Sequence, residues 1–301
     1  MCGQKITPKK RKNHAVYCFL YWVVLVYKQE VKTMNEIALK NNKTTNELQI
    51  TKVYMKNWLI RKPTLWSVQE TKLFYSALTQ IKKRDAAGWV CLRKADIISA
   101  LNMDERNANK LRELFQKIMK KSFVQFDGPT EEEWEDGFLI RKVRSTKKDI
   151  YVQFEDSYIP LLDELSSHFT SFYLDNIAQM KSKHAIRLFT YLKSWYDSSK
   201  PHQRHEVGLN YLKSDVFELD PDDYVRKSGR DKGWFDLTQF KRRCVKKAID
   251  EINNTDSQMR IASYSTYKNG SVTVFVFDYM LLNKDGSLRD DYGILDPRNE
   301  Q

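Results

Sequence analysis

Asp236-Leu-Thr-Gln-Phe-Lys-Arg-Arg-Cys-Val-Lys-Lys-Ala-Ile-Asp-Glu-Ile-Asn253 has the pattern of one amphipathic helix with two chemically different sides. Asp236 with Gln239 forms an N-cap pair, which starts the helix near Leu237. At 100° per residue, Leu237, Phe240, Cys244, Ala248, Ile249 and Ile252 share a broad apolar face. Gln239, Arg242, Arg243, Lys246 and, at the margin, Lys247 point the other way. Five of the seven residues 241–247 are basic, whereas acids appear only at Asp250 and Glu251 in the last turns. An ordinary surface helix mixes its signs. A ridge of long donors can instead reach guanine O6 and N7 or phosphate oxygens, and the Gln239 amide can address adenine. Lys241 falls among the apolar positions and would have to snorkel along its stem to reach water or phosphate.

The flanks of this helix extend the pattern. Arg226, Lys227, Arg230, Lys232, Gly233 and Trp234 precede it, adding charge at the same end. After it the spacing predicts a hairpin, Met259–Tyr264 and Val272–Phe277, around a Lys268-Asn269-Gly270 turn whose tip suits contact with a DNA backbone or minor groove. Before it lie a helix over His184–Tyr196, a short extended run Val207–Leu209, and a short helix Tyr211–Phe217 ending near Leu219.

The same order occurs earlier in the chain. Ser67 and Glu70 form a capping box at the start of a helix through Ile81, with Val68, Leu73, Phe74, Ala77 and Leu78 at helical spacing. Trp89–Leu92 reads as a short strand and Lys94–Leu101 as a short helix. Asp104 is expected to cap a third helix through about Lys121, with Ala108, Leu111, Leu114, Phe115 and Ile118 on one face. Strands are predicted at Phe123–Phe126 and Phe138–Val143, separated by the acidic loop Glu131–Asp136, with a further strand at Ile150–Phe154. Leu73-Phe74 recurs at Leu188-Phe189, and Leu92 at Leu209, at offsets of 115 and 117 residues. A near-constant period with matching element order argues for duplication. Helix, short strand, helix, helix, hairpin is the order of a winged helix. The expected fold is α+β, two tandem winged-helix domains forming a pseudo-repeat, at 54–156 and 157–283, with a tail at 284–301. On the outer face of the first module's third helix, Arg106, Asn109, Lys110, Glu113 and Lys117 mix signs, which suits phosphate contact better than base reading. Either third helix is also open to a role in assembly.

Composition bounds the rest. The 301 residues carry 51 Lys and Arg against 39 Asp and Glu, a net charge of +12 that points to an anionic partner, nucleic acid above all. Part of that charge lies in residues 1–33, where a basic run Lys9–Lys12 precedes the apolar stretch Ala15–Tyr27. That stretch is too short to cross a bilayer as a helix, and no small-x-small cleavage pattern follows it. Met34 is therefore expected to be the natural start, 1–53 forming a leader and flexible N-terminal segment, with a membrane anchor the alternative if residues 1–33 are retained. Without 1–33 the balance is 44 against 38, a net of +6, and the case for nucleic acid rests on where the charges sit. Cys2, Cys18, Cys91 and Cys244 show no zinc or disulfide spacing, which favours a reducing compartment. No phosphate-binding G-x-x-x-x-G-K-[ST] run occurs. His202-Gln-Arg-His205, with Tyr211 downstream, invites comparison with metal-dependent nicking enzymes. It reads as a loop, however, and no metal, cofactor or catalytic constellation is expected.

Phe172-Tyr-Leu174, Ser182–Leu192 and Leu237-x-x-Phe240-Lys-Arg-Arg-Cys-Val-x-x-Ala248-Ile-x-Glu251-Ile252-Asn253 resemble the second winged helix of the replication initiator (Rep) proteins of iteron-containing plasmids. The resemblance covers roughly residues 54–283, and in the first module it is one of element order more than of motifs. It implies monomers that bind directly repeated origin sites in double-stranded plasmid DNA, distort adjacent AT-rich DNA and help bring in the host replicative helicase. The host partners would include the helicase loader and the chromosomal initiator. It also implies dimers that repress the initiator's own gene, in the bacterial cytoplasm, with no membrane partner and no enzymatic activity. Carried over by position, Arg242, Arg243 and Lys246 would read bases, with Gln239 and Lys241 beside them, and the first domain would supply phosphate contacts and the dimer surface. A winged-helix transcriptional repressor without initiator activity is the alternative, and a nicking enzyme stands third.

Overall fold

The structure is a computed structural model that describes residues 51–104, 106, 110–127, 134–163, 169–200 and 202–283. The expected leader (1–33), half of the acidic loop, Asn109 and the C-terminal tail lie outside the described residues. The fold is mixed α and β.

The chain enters on strand β1 (Lys52–Lys56) and a one-turn helix α1 (Asn57–Arg61). Helix α2 (Val68–Leu78) follows, and its capping box is formed as expected: the Glu70 amide donates to Ser67 Oγ at 3.3 Å and the Ser67 amide to Glu70 Oε2 at 2.8 Å. Every residue from Glu70 to Leu78 is buried, so this helix is packed on all sides. Strand β2 (Trp89–Arg93) and helix α3 (Lys94–Ala100) come next, close to their expected positions, and then helix α4 (Leu111–Lys121), which ends where expected but starts later than Asp104.

The strands after α4 differ from expectation. Strand β3 (Phe123–Asp127) pairs with β4 (Trp134–Phe138), so Trp134–Asp136 is strand rather than acidic loop. Strand β5 (Ile140–Ser145) instead pairs with β6 (Asp149–Phe154), which in turn pairs with β2, giving a three-stranded antiparallel sheet in the order β2–β6–β5. The break falls at Leu139-Ile140, both buried in succession. Two neighbouring inward side chains violate the period of a strand, so the chain leaves one sheet and enters another. Ser122 holds the corner: its carbonyl accepts from Leu139 N at 2.8 Å and its hydroxyl from Ile140 N at 3.2 Å.

A short helix α5 (Ile159–Asp163) leads on, and strand β7 (Phe169–Tyr173) returns to pair antiparallel with β1, Lys52 opposite Tyr173 and Lys56 opposite Phe169. This ribbon turns Val53, Met55, Thr170 and Phe172 inward. The chain continues through α6 (Asp175–Ala178), α7 (Lys183–Lys193), strand β8 (His202–Gly208) and α8 (Leu209–Tyr211), which runs into a π-helical turn, Leu212–Val216. The segment read from sequence as 237–253 is α9 (Leu237–Phe240), a π-helical turn Lys241–Val245, and α10 (Lys246–Asn253). Strands β9 (Met259–Asn269) and β10 (Val272–Leu281) close the described chain, and the sheet order is β8–β10–β9. Helix, strand, helix, helix, hairpin thus occurs from α2 to β6, with β3 and β4 inserted, and again from α7 to β10. In both sheets the last strand lies in the middle.

One contiguous apolar core runs through both halves, from Val53 to Leu281. A buried ion cluster crosses it. Arg187 on α7 is 3% exposed and donates to the carbonyls of Ile60, Lys62, Asp215 and Val216 at 2.7–3.2 Å. Its Nε lies 3.2 Å from Glu218, a fully buried carboxylate that Lys183 approaches at 2.7 Å. Glu218 also accepts from the amides of Thr64 and Leu65 at 2.7 and 2.9 Å. Burial pushes its pKa up, but Arg187, Lys183 and the Thr64 amide outweigh that and hold it below the ordinary glutamate range.

Candidate nucleic-acid interface

Asp236 caps α9 as the sequence predicts, accepting from Gln239 N at 3.0 Å. That bond, with Arg226 beside it, holds the carboxyl below the usual aspartate range. The inner face is Phe240, Cys244, Ala248, Ile249 and Ile252, joined by Val245, with Leu237 only half-buried. The π turn hydrogen-bonds Lys246 N to Lys241 O, five residues back. Widened turns of this kind recur at functional sites.

On the outer face Arg242, Arg243, Lys246 and Lys247 are exposed. Arg242 Nη2 donates to Gln239 Oε1 at 3.0 Å, so these two donors are organised as a pair. Lys246 meets Asp250 one turn on at 2.6 Å, an exposed pair of the kind that contributes little and can open toward a phosphate. Lys241 snorkels as its wheel position requires. Its Nζ lies over the Phe275 ring, 5.8 Å from the centre, and donates to Thr266 Oγ1 at 2.6 Å. It therefore ties the helix to β9 and is not part of the exposed ridge. Glu251 is also structural, accepting from the amides of Lys181 and Ser182 at the start of α7.

Two further segments attach to this helix. The β9–β10 turn carries exposed Lys268 and Asn269, followed by Gly270 at φ +58. A glycine in that region gives a two-residue hairpin turn whose twist matches the strands. Ahead of the helix, Val225 and Phe235 bridge across a loop in which Arg230 and Lys232 are exposed. Arg226, by contrast, is latched to Asp231 and Asp236.

The first unit's candidates sit on and before α4. Lys110 and Lys117 are exposed. Arg106 does not lie on the helix, which begins at Leu111 rather than just after Asp104. Asp104 instead binds the Arg106 amide and guanidinium, at 2.9 and 3.0 Å, in a local turn.

His202 and His205 lie on β8, not in a loop. Three residues apart on a strand, they face opposite ways. His202 is exposed, while His205 shares a 2.8 Å hydrogen bond with Tyr191 Oη and stacks on Trp195, whose ring centre lies 3.4 Å from the Arg61 guanidinium. Burial, helped by Arg61, pushes the His205 pKa down to about 4. Among the described residues no group of three His, Cys, Asp or Glu could hold a metal ion. Nor, among them, is any helix long and apolar enough to cross a membrane. Cys91 is exposed and Cys244 buried, both as free thiols.

The profile of initiator replication proteins, WH1 domain, matches residues 52–193. Over this stretch the chain is similar to the initiator replication protein WH1 family. The WH1 domain so defined takes in β1, β7 and α7, which places the β1–β7 ribbon inside it. Among solved structures, the chain is similar to the Pi initiator protein in complex with iteron DNA, with a TM-score of 0.63 and 16% identity over 77% of this chain and 98% of that one. It also matches domains 2 and 3 of RctB, at a TM-score of 0.42 and 10% identity over 71% and 82% of the two chains. No curated protein matches the sequence.

Proposed function

We propose that the protein is a plasmid replication initiator that binds repeated origin sites, or iterons, in double-stranded DNA and acts by binding rather than by bond-making chemistry. The observation that carries this is the exposed row Arg242, Arg243, Lys246 and Lys247 on a helix whose other side is buried. The WH1 match and the likeness in fold to the Pi initiator support it. In this account 54–156 and 157–283 are duplicated winged helices. Arg242, Arg243 and Lys246 read bases with Gln239, while Lys247, Arg230, Lys232, Lys268 and Asn269 hold the backbone. Arg106, Asn109, Lys110 and Lys117 contact phosphates from the first domain. Opening of the origin, recruitment of the host helicase with its loader and chromosomal initiator, and autorepression as a dimer in the bacterial cytoplasm complete the proposal.

Footprinting on the DNA beside the gene tests it, with repeated protection at helical-turn-related spacing as the expected result. Arg242→Ala should cost about 1–3 kcal/mol and relax specificity at one base position. A uniform loss across all sequences would assign Arg242 to phosphate instead.

A further inference from the structure

Trp234 is 73% exposed, more than any other large apolar side chain among the described residues. It stands in a well-built loop. Val225 and Phe235 bridge across the base. Above them Arg226 N donates to Trp234 O and Gly233 N to Arg226 O, both at 2.9 Å, while Trp234 N donates to Asp231 O at 3.1 Å. The Arg226 guanidinium clamps the inside through Asp231 and Asp236. Gly229 and Gly233 take φ of +85 and +87, the left-handed turns that let so short a loop close.

The loop is also fixed to the basic helix. Phe235 and Tyr224 pack on Phe240 at 5.4 and 5.7 Å, and Asp236 belongs at once to the loop and to the cap of α9. A held backbone that presents its indole outward gains nothing for its own core from that indole. Its neighbours Lys227, Arg230 and Lys232 are exposed cations, a setting suited to a polyanion and poorly suited to an apolar protein partner.

We propose that the Val225–Phe235 loop is a second DNA-contacting arm, with the Trp234 indole packed on the sugars and base edges of duplex DNA beside the segment met by α9. This rests on the DNA-binding reading above and adds an apolar contact to it. Aromatic side chains contribute by stacking, and apolar wedges deform duplexes at their edges, without neutralising phosphate.

The contact therefore has a signature separable from that of the cations. The probe is a labelled duplex selected by the full-length protein from a random-sequence pool. Trp234→Ala should weaken binding roughly tenfold with the dependence of affinity on salt unchanged, and Trp234→Phe should recover most of the loss. Lys232→Ala should weaken binding and reduce the salt slope by about 0.9. The proposal is overturned if Trp234→Ala binds within twofold of the parent while Arg243→Ala is impaired, a result that leaves the DNA-binding reading standing. It is also overturned if the loss is accompanied by a lower urea unfolding midpoint, since the indole would then be packing rather than binding. If no duplex is selected, or Arg243→Ala binds as well as the parent, both readings fail together.

Discussion

Arg187→Ala removes the centre of the buried ion cluster, and the structure sets the size of the effect. The guanidinium is 3% exposed and serves four carbonyls from two segments, Ile60 and Lys62 on one side and Asp215 and Val216 on the other. Its loss leaves those oxygens short of a donor and Glu218 with Lys183 as its remaining cationic partner. Breaking one side of a buried pair costs about 3–5 kcal/mol, a large part of the roughly 5–15 kcal/mol that stabilises a typical protein. At an m-value of about 3 kcal/mol/M, the urea midpoint should fall by roughly 1–1.7 M. Arg187→Met combined with Glu218→Leu should recover only part of this, because the carbonyls remain unserved. The pH dependence supplies a second readout. Glu218 titrates below its ordinary value when folded, so its contribution is present above that value and lost as pH falls through the lowered one. Without Arg187 its pKa rises, and acid unfolding should begin at higher pH. A midpoint shift under about 0.3 M, with acid unfolding unchanged, would refute this account of the cluster.

Two further perturbations probe other features. His205 titrates at about 4 when folded against 6.5 for the unperturbed group, so the unfolded chain binds the extra proton in between. Stability should fall as pH drops through that window, and His205→Gln, which can still serve Tyr191, should flatten the dependence in urea titrations at pH 4–7. At Gly137, an added Cβ would collide with the ring and hydroxyl of buried Tyr158. Gly137→Ala should therefore cost about 1–3 kcal/mol in thermal or urea unfolding, and a neutral result would mean that Tyr158 moves aside freely.

What was legible in the sequence was local. The Ser67–Glu70 box, the Asp236 cap and the two faces of 237–253 follow from contacts within a few residues, and each forms as its spacing implies. The snorkelling of Lys241 was also implied by its wheel position, though its acceptor, Thr266, was not. Features that depend on distant segments escaped. The β1–β7 ribbon joins residues more than a hundred positions apart, and no pattern near Lys52 announces Tyr173. Trp134–Asp136 looks like an acidic loop because side-chain charge says little about an edge strand paired through its backbone. Leu139-Ile140 reads as one continuous strand until the change of sheet is seen. His202–His205 reads as a loop because Ser-Ser-Lys-Pro precedes it, whereas pairing with β10 makes it a strand. The π turns have no sequence signature, because the i→i+5 bond is set by how the helix packs. Trp234 went unassigned because sequence alone does not reveal its exposure.

The pairing of Lys52–Lys56 with Phe169–Tyr173 brings the entrance and exit of the intervening polypeptide side by side. Those 112 positions, 57–168, hang from a common stem, so their topology does not depend on where the backbone happens to be cut. A circularly permuted gene, opened at an exposed turn such as 146–148 and rejoined elsewhere, should preserve the hem that keeps this unit closed.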